Sequence, residues 1–251
     1  MKPAPDGEAP YPTLPLRYLV AATLAFVTAA LGVPALASDL AGHYYHPRIL
    51  ALTHVVTLGW ITLAIMGAGY QLIPVVLQRP LWSERLARWQ FVMVVVGAIG
   101  MISHFFMAEW SGLMWAAGVL ILGVAAHVVN VAVSLRGLAR GTFTARLMAM
   151  ALVGLAATTV FGALLGMQHV RAFLPVDFFS ALHAHVHLAL LGWVAGCTVI
   201  WSALFTVGNF LYGRTSYALL LLGVCIASGL ALLHVMNKLW AEGRSYTKQS
   251  A

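Results

Sequence analysis

The sequence has few charged residues and almost no cysteine, and both shortages narrow what the chain can be. Charged side chains make up only 8% of the 251 residues, whereas soluble domains carry roughly 25%. Apolar residues make up 61%, and the mean hydropathy is +0.89. A single soluble core is excluded, because apolar runs long enough to cross the roughly 30 Å hydrocarbon core of a bilayer recur along the whole length.

The two cysteines, Cys197 and Cys225, both fall in apolar runs and lack C-x-x-C spacing. They therefore predict neither a zinc site nor a disulfide framework. Acidic residues total seven and none lies deep in an apolar run, so magnesium and calcium sites are disfavoured. The net charge of +7 reflects arginines in loops on one side of a membrane, and nucleic acid is excluded as a partner.

Hydrophobic runs between charged residues or Pro/Gly breaks predict an all-α, polytopic transmembrane helix bundle. About seven spans in the lipid bilayer are expected, at 15–38, 48–77, 88–107, 111–135, 145–166, 180–207 and 216–239. Only the short polar hinge Ala108–Ser111 divides the third span from the fourth, so six or eight spans are the alternatives. We interpret 1–14 as a disordered N-terminal tail, 15–240 as one transmembrane domain and 241–251 as a C-terminal tail.

The arginines are distributed unevenly between the loops of the two sides. With seven spans, one side receives the N-terminal tail and most of the loop arginines, namely Arg79, Arg85, Arg88, Arg136, Arg140, Arg146 and Arg214. The short loops of the opposite side hold only Arg48 and Arg171. The positive-inside rule therefore predicts a multi-pass protein of the inner (cytoplasmic) membrane, with its N-terminus in the cytoplasm.

A motif of the form H-x-x-x-L-G-W occurs twice, starting at His54 in the second span and at His187 in the sixth. Four spans separate the copies, so the two helices run in the same direction and their imidazoles are expected at similar depth, near the outer end. His104 and His234 extend the similarity, since each lies in the next span about fifty residues later. We interpret spans 2–3 and 6–7 as a parallel internal repeat, related by an axis along the membrane normal.

Nearly all the histidines are expected at the outer side. The set is His43, His46, His54, His104, His169, His183, His185, His187 and His234, and only His127 lies toward the cytoplasm. A polar group inside a membrane costs free energy unless it finds a partner, so this concentration indicates a shared ligand. Two imidazoles that approach haem iron from opposite faces give a six-coordinate bis-histidine site. We therefore predict a haem b held by His54 and His187.

The other histidines leave alternatives open. By the same geometry His104 and His234 form a second ligand pair, or else they hydrogen-bond the ligands and the haem edge. In the segment H-A-H-V-H that opens the sixth span, helical spacing places His185 on a different face from its two neighbours, so it is the candidate ligand of a second haem or a metal. Arg48 and Arg171 lie just outside the membrane, where a guanidinium pairs with haem propionates or simply snorkels to the interface.

The motifs of spans 2 and 6 resemble those of the haem-copper oxidase superfamily, especially the large subunits of C-family cytochrome oxidases and nitric oxide reductases. The features that carry the resemblance are Ala184-His185-Val186-His187 followed by Leu191-Gly192-Trp193, and His54 followed by Gly67, Tyr70 and Pro74. The resemblance implies His185 as ligand of a high-spin haem, and His187 with His54 as ligands of a low-spin haem. It covers spans 2–3 and 6–7. A His-His dipeptide and a His-x-x-x-Tyr element are missing, so copper is not supported, and a shortened relative is implied.

These observations predict a membrane b-type haem protein that transfers electrons or handles O₂ or NO near the outer face, with a respiratory-chain electron donor or oxidase subunits as partners. Activity as a haem-dependent oxidoreductase needs an open iron position at His185. One alternative is an assembly factor that passes copper or haem to a respiratory complex, with copper on His43, His46 and His169. Another is a haem-free transporter or structural subunit whose histidines line a polar cavity.

Overall fold

A computed structural model describes residues 13–136, 143–173 and 177–249, and these residues form helices with no strand among them. The helices are α1 (Thr13–Ala35), α2 (Ala37–Leu40), α3 (Pro47–His54), π1 (Val55–Thr62), α4 (Leu63–Leu77), α5 (Glu84–Phe106), α6 (Leu113–Ser134), α7 (Phe143–Val170), α8 (Phe178–His187), π2 (Leu188–Ala195), α9 (Gly196–Leu211) and α10 (Thr215–Gln249). The all-α prediction is confirmed. The predicted N-terminal tail lies outside the described residues, except for Thr13 and Leu14, which begin α1.

Six of the helical stretches are long and apolar enough to cross a membrane: Thr13–Ala35, Pro47–Leu77, Glu84–Phe106, Leu113–Ser134, Thr144–His169 and Phe178–Leu211. We call Pro47–Leu77 the second span and Phe178–Leu211 the sixth span. The last helix, α10, adds a shorter apolar stretch over Thr215–Ala231 and continues to Gln249, past the predicted domain end at 240. Only 17–33% of each apolar window is buried, as expected for helices whose remaining apolar surface contacts lipid.

Successive long helices alternate in direction, and contacts between loops show which ends meet. At one end the backbone N–H of Ser83 donates to Oδ1 of Asn130 at 3.0 Å, and at the other the rings of Tyr45 and Phe178 lie 5.3 Å apart. We call the end at Ser83 and Asn130 the arginine end; its arginines are Arg17, Arg79, Arg85, Arg88, Arg136, Arg146 and Arg214. We call the end at Tyr45 and Phe178 the histidine end; its histidines are His43, His46, His54, His104, His169, His183, His185 and His187.

The interior of the bundle is enclosed by five long helical stretches. The second span packs against α5, α5 along α6, α6 against α7, and α7 against the sixth span. A hydrogen bond of 3.3 Å from the indole N–H of Trp193 in π2 to the hydroxyl of Thr62 in π1 connects the sixth span to the second. The remaining long helices lie on the flanks, α1 on the second span and α10 on the sixth.

Glycine lets the backbones of neighbouring helices approach closely in this arrangement, and two positions serve as examples. A Cβ on Gly97 of α5 would lie 2.5 Å from the backbone nitrogen of Leu120 in α6, and a Cβ on Gly154 of α7 would lie 2.4 Å from the carbonyl carbon of Gly192 in π2. A backbone atom cannot move aside as a flexible side chain can. Small residues at interfaces are the usual means of close helix packing in membranes.

We expect Gly97→Ala to destabilise the protein by about 1–3 kcal/mol, because the added methyl group forces α5 and α6 apart. Gly118→Ala on α6 is the matched control, since no atom lies within 4 Å of a Cβ at Gly118. That substitution should raise stability slightly, because alanine favours the helix over glycine. Thermal unfolding of both variants in detergent measures the difference, and equal midpoints would contradict the close contact.

Candidate functional site

The two H-x-x-x-L-G-W motifs adopt the same irregular backbone. α3 ends at His54, and π1 occupies the next 8 residues, Val55–Thr62. α8 ends at His187, and π2 occupies the next 8 residues, Leu188–Ala195. π-helical turns are rare in proteins and occur frequently at functional sites. The two copies therefore share a local geometry as well as a sequence, and each histidine lies where the α-helix gives way to the π-helix.

The rings of His54 and His187 are held in the same way. Nδ1 of His54 lies 2.7 Å from the carbonyl oxygen of Leu50, and Nδ1 of His187 lies 2.7 Å from the carbonyl oxygen of His183. Because a carbonyl oxygen only accepts hydrogen bonds, each Nδ1 carries the proton and each Nε2 keeps a lone pair. Metal-binding histidines usually have this form, with the second ring nitrogen fixed by a hydrogen bond.

His185 has the same tautomer but a different environment. Its Nδ1 lies 3.0 Å from the carbonyl oxygen of Thr158 in α7. The half-buried ring covers Gly162, where a Cβ would lie 2.9 Å from Cε1 of the imidazole. His183 and His187 are exposed. The prediction that His185 occupies a different face of the helix from its neighbours therefore agrees with the geometry.

His185 lies within the range of an electrostatic interaction with His54. His54 is half-buried, and the ring of Phe105 lies 4.8 Å from its ring, centre to centre. The ring of His187, the predicted partner of His54, is exposed at the surface of the bundle. The sixth span thus offers two imidazoles with free Nε2 atoms. The half-buried His185 lies within electrostatic range of His54, and the exposed His187 is the partner that the repeat predicts.

The two histidines of the proposed second pair belong to different parts of the bundle. The ring of His104 lies over Gly112, where a Cβ would be 2.6 Å from its Nε2, so the start of α6 covers that nitrogen. Its Nδ1 is 2.7 Å from Oε2 of Glu109, in an orientation that suits an ion pair but not a hydrogen bond. His234 is exposed on α10, which packs mainly on α9, whereas α5 packs mainly on α6 and α3.

The loop between α5 and α6 holds Glu109 as a carboxylate. The hydroxyl and the backbone N–H of Ser111 donate to its Oε1, and the backbone N–H of Gly112 donates to Oε2 at 3.1 Å. The bond from the Ser111 hydroxyl is the largest cause that lowers the pKa of the Glu109 carboxyl, to about 2. The carboxyl is therefore ionised at neutral pH, and its negative charge faces His104 until the pH falls toward that value.

The structure places both predicted propionate-binding arginines at the histidine end, close to the ends of their helices. The guanidinium of Arg48 lies 3.5 Å from the carboxylate of Asp39, and its central carbon is 5.4 Å from the ring centre of Phe106. Arg171 is exposed and follows α7, where its backbone N–H donates to the carbonyl of Met167. Arg48 thus already has an acidic and an aromatic neighbour, and a second anion would have to compete with Asp39.

An aromatic cluster at the histidine end was not predicted from the sequence. The rings of Trp110 and His169 lie 4.0 Å apart, and Tyr45 contacts Phe178 and Phe179. Burial raises the pKa of the Tyr45 hydroxyl to about 12, so this hydroxyl stays protonated. The cluster joins three separate loops and helix ends, which only the folded chain brings together.

The three histidines of the copper alternative have different neighbours. His43 stacks on Tyr44, His46 lies 3.9 Å from Asp39, and His169 packs on Trp110. Within the described ranges, no three His, Cys, Asp or Glu side chains are placed to hold a metal ion.

A second polar group, also missed from the sequence, lies inside the bundle around His127. Its members Tyr70, Gln90 and Asn130 are fully buried, and His127 is 3% exposed. Ring nitrogen Nδ1 of His127 is 3.1 Å from the hydroxyl of Tyr70. The available signal was the occurrence of His, Gln and Asn inside apolar runs, since polar side chains in membrane spans are rare and usually functional.

With this geometry established, the chain was compared with known proteins. No family model, no curated protein and no solved structure matches it.

Proposed function

We propose that this protein is a multi-pass b-type haem protein of the inner membrane that transfers electrons or handles O₂ or NO near the histidine end. The observation that carries the proposal is the common state of His54, His185 and His187. Each donates its Nδ1–H to a backbone carbonyl and presents Nε2 with a lone pair. Three imidazoles prepared in this way on two parallel spans would suit ligation of haem iron.

The surroundings also fit a haem. His54 has the ring of Phe105 beside it, and His185 packs over Gly162, so both imidazoles have apolar neighbours. We propose that His54 and His185 would hold the haem iron, because they lie within electrostatic range of each other, with His187 as the alternative partner from the sixth span. Arg48 and Arg171 would hold the propionates. A bis-histidine haem supplies outer-sphere electron transfer, with a potential set by its ligands, burial and nearby charge.

The proposal includes an orientation and a topology. The arginine end faces the cytoplasm, because loop arginines are retained on that side, and α10 completes seven spans. The matching π-helices after His54 and His187 support an internal repeat that relates the second span to the sixth. The haem then lies toward the outer side, accessible to a respiratory-chain electron donor or to oxidase subunits.

The absorption spectrum of the protein purified from haem-replete cells tests the proposal. We expect a Soret band that shifts on reduction, sharp visible bands typical of low-spin haem b, and protohaem in the pyridine haemochrome assay. Protein from haem-deficient cells, titrated with haemin, provides the control for loading. Absence of a Soret band from both preparations would exclude the proposal. Metal analysis of the same samples tests whether the protein binds copper.

A further inference from the structure

The polar cluster around His127 gives the hydrogen of the Tyr70 hydroxyl two acceptors. One is Oε1 of Gln90, to which the hydroxyl donates, and Nε2 of Gln90 in turn donates to the sulfur of Met66 at 3.2 Å. The other is Nδ1 of His127 at 3.1 Å. When His127 carries its proton on Nε2, Nδ1 is the basic nitrogen, and the Tyr70 hydroxyl can donate to it.

Tyr70 also borders a cavity that leads to the arginine end. The cavity has a volume of about 110 Å³, which is room for several water molecules. Its lining residues are Thr13, Leu14, Pro15, Arg17, Tyr70, Leu81, Glu84 and Arg88. Since Thr13, Arg17, Glu84 and Arg88 are exposed whereas Tyr70 is fully buried, the polar mouth faces solvent and Tyr70 forms the inner wall. The Tyr70 side chain thus lies between this water-sized space and His127.

We propose that His127 is an internal proton-binding site that is loaded from the arginine end through the cavity and the Tyr70 hydroxyl. An ionisable side chain inside a membrane bundle is costly and is seldom kept without a function. The cavity, Tyr70 and Nδ1 of His127 follow one another inward from the arginine end, in the order that proton exchange with solvent needs. This inference goes beyond the proposed haem function and does not depend on it.

The groups that face His127 are mostly neutral. Tyr70 from the second span is the titratable neighbour, Trp193 of π2 contributes an indole with its ring centre 6.1 Å away, and Tyr18 of α1 lies behind Tyr70 at 5.5 Å. Cys197 of α9 is buried in the same core. The buried residues described on α7 are apolar: Ala145, Met148, Ala151, Leu152, Leu155 and Leu165. The charged residues at the cavity are confined to its mouth: Arg17, Glu84 and Arg88.

Exchange of the imidazole C2 hydrogen for deuterium, followed by peptide mass spectrometry as a function of pH, tests the proposal. The rate of this exchange depends on protonation of the ring and on access of solvent ions, so a dry imidazole does not exchange. In the intact protein we expect His127 to exchange with a sigmoidal pH profile. Tyr70→Phe should slow it by at least about tenfold, because the substitution removes the hydroxyl that contacts Nδ1 of His127.

Thr62→Val is the matched control, because it also removes one buried hydroxyl of the second span but lies on the Trp193 side of His127. Its exchange rate at His127 should stay within about twofold of wild type, since the path through Tyr70 is intact. If Tyr70→Phe does not fold, Thr13→Trp, which fills the mouth at an exposed position, should slow exchange instead.

Two results would overturn the proposal. One is a His127 that does not exchange while the exposed His183 and His187 do, and the other is an unchanged rate at His127 in the folded Tyr70→Phe or Thr13→Trp protein. The measurement needs no haem. A missing Soret band would therefore reject the proposed haem function without affecting the result for His127. Likewise, a negative exchange result at His127 would not affect the proposed haem function.

Discussion

Replacing His54 with glycine is expected to abolish the low-spin haem spectrum, and added imidazole is expected to restore it. The substitution removes the imidazole whose Nε2 is free and whose Nδ1 is fixed to the carbonyl of Leu50. It leaves a space beside Phe105 that free imidazole can occupy. A ligand role predicts this rescue, whereas a purely structural role predicts loss of folded protein that imidazole does not repair. Absorption spectra before and after addition of imidazole make the measurement.

Thr53→Ala is the matched control for His54→Gly. Thr53 directly precedes His54 in α3 and is exposed. Its hydroxyl donates to the backbone carbonyl of Ile49, four residues earlier, just as the His54 ring donates to the carbonyl four residues before it. Its truncation should leave both the spectrum and the haem content unchanged. A normal low-spin spectrum in folded His54→Gly without imidazole would remove His54 from the set of ligands.

The second large effect separates the two candidate partners on the sixth span. We expect His185→Ala to convert or abolish the low-spin spectrum, because the half-buried His185 lies within electrostatic range of His54. His187→Ala should retain the spectrum, since the His187 ring is exposed. Haem affinity is expected to fall by at least about tenfold in the first variant, as even loss of a residue that only supports a metal ligand costs that much.

His183→Ala provides the control for both variants. The side chain of His183 is exposed, and its backbone carbonyl, which accepts from Nδ1 of His187, survives truncation. Its spectrum should match that of wild type. The opposite pattern, with the spectrum lost in His187→Ala and kept in His185→Ala, would restore the pair predicted from the repeat and contradict the choice made from the folded structure.

The helix boundaries could be predicted closely, because apolar length and breaks act locally. The second span was expected at 48–77 and runs from Pro47 to Leu77. Proline suits the first turn of a helix, where its missing N–H is not needed. The polar hinge at Ala108–Ser111 indeed separates α5 from α6. Successive spans must alternate in direction, so the number of spans between two histidines predicts whether they lie at the same end of the bundle.

The π-helices could not be predicted, because hydrophobic periodicity does not separate a π turn from an α turn over a few residues. Each π-helix changes the direction, about the helix axis, in which the side chains of the following helix point. The burial of Trp60 and Trp193, which are equivalent in the motif, could not be predicted either, because it depends on the helix that packs against each. Trp193 is buried and donates to Thr62, whereas Trp60 is 37% exposed and its ring lies 4.5 Å from that of Phe26 on the flanking helix.

The sequence by itself determined that this chain is an all-helical bundle with histidines collected at one end and arginines at the other. Apolar length, charge bias and the spacing of H-x-x-x-L-G-W are properties of neighbouring residues, so they need no knowledge of packing. Only the tertiary structure showed that His185 is half-buried within electrostatic range of His54 while the ring of His187 is exposed, and that His127 meets Tyr70 beside a cavity. Those choices depend on how each span is rotated and on which helix packs against it, and residues distant in sequence set both.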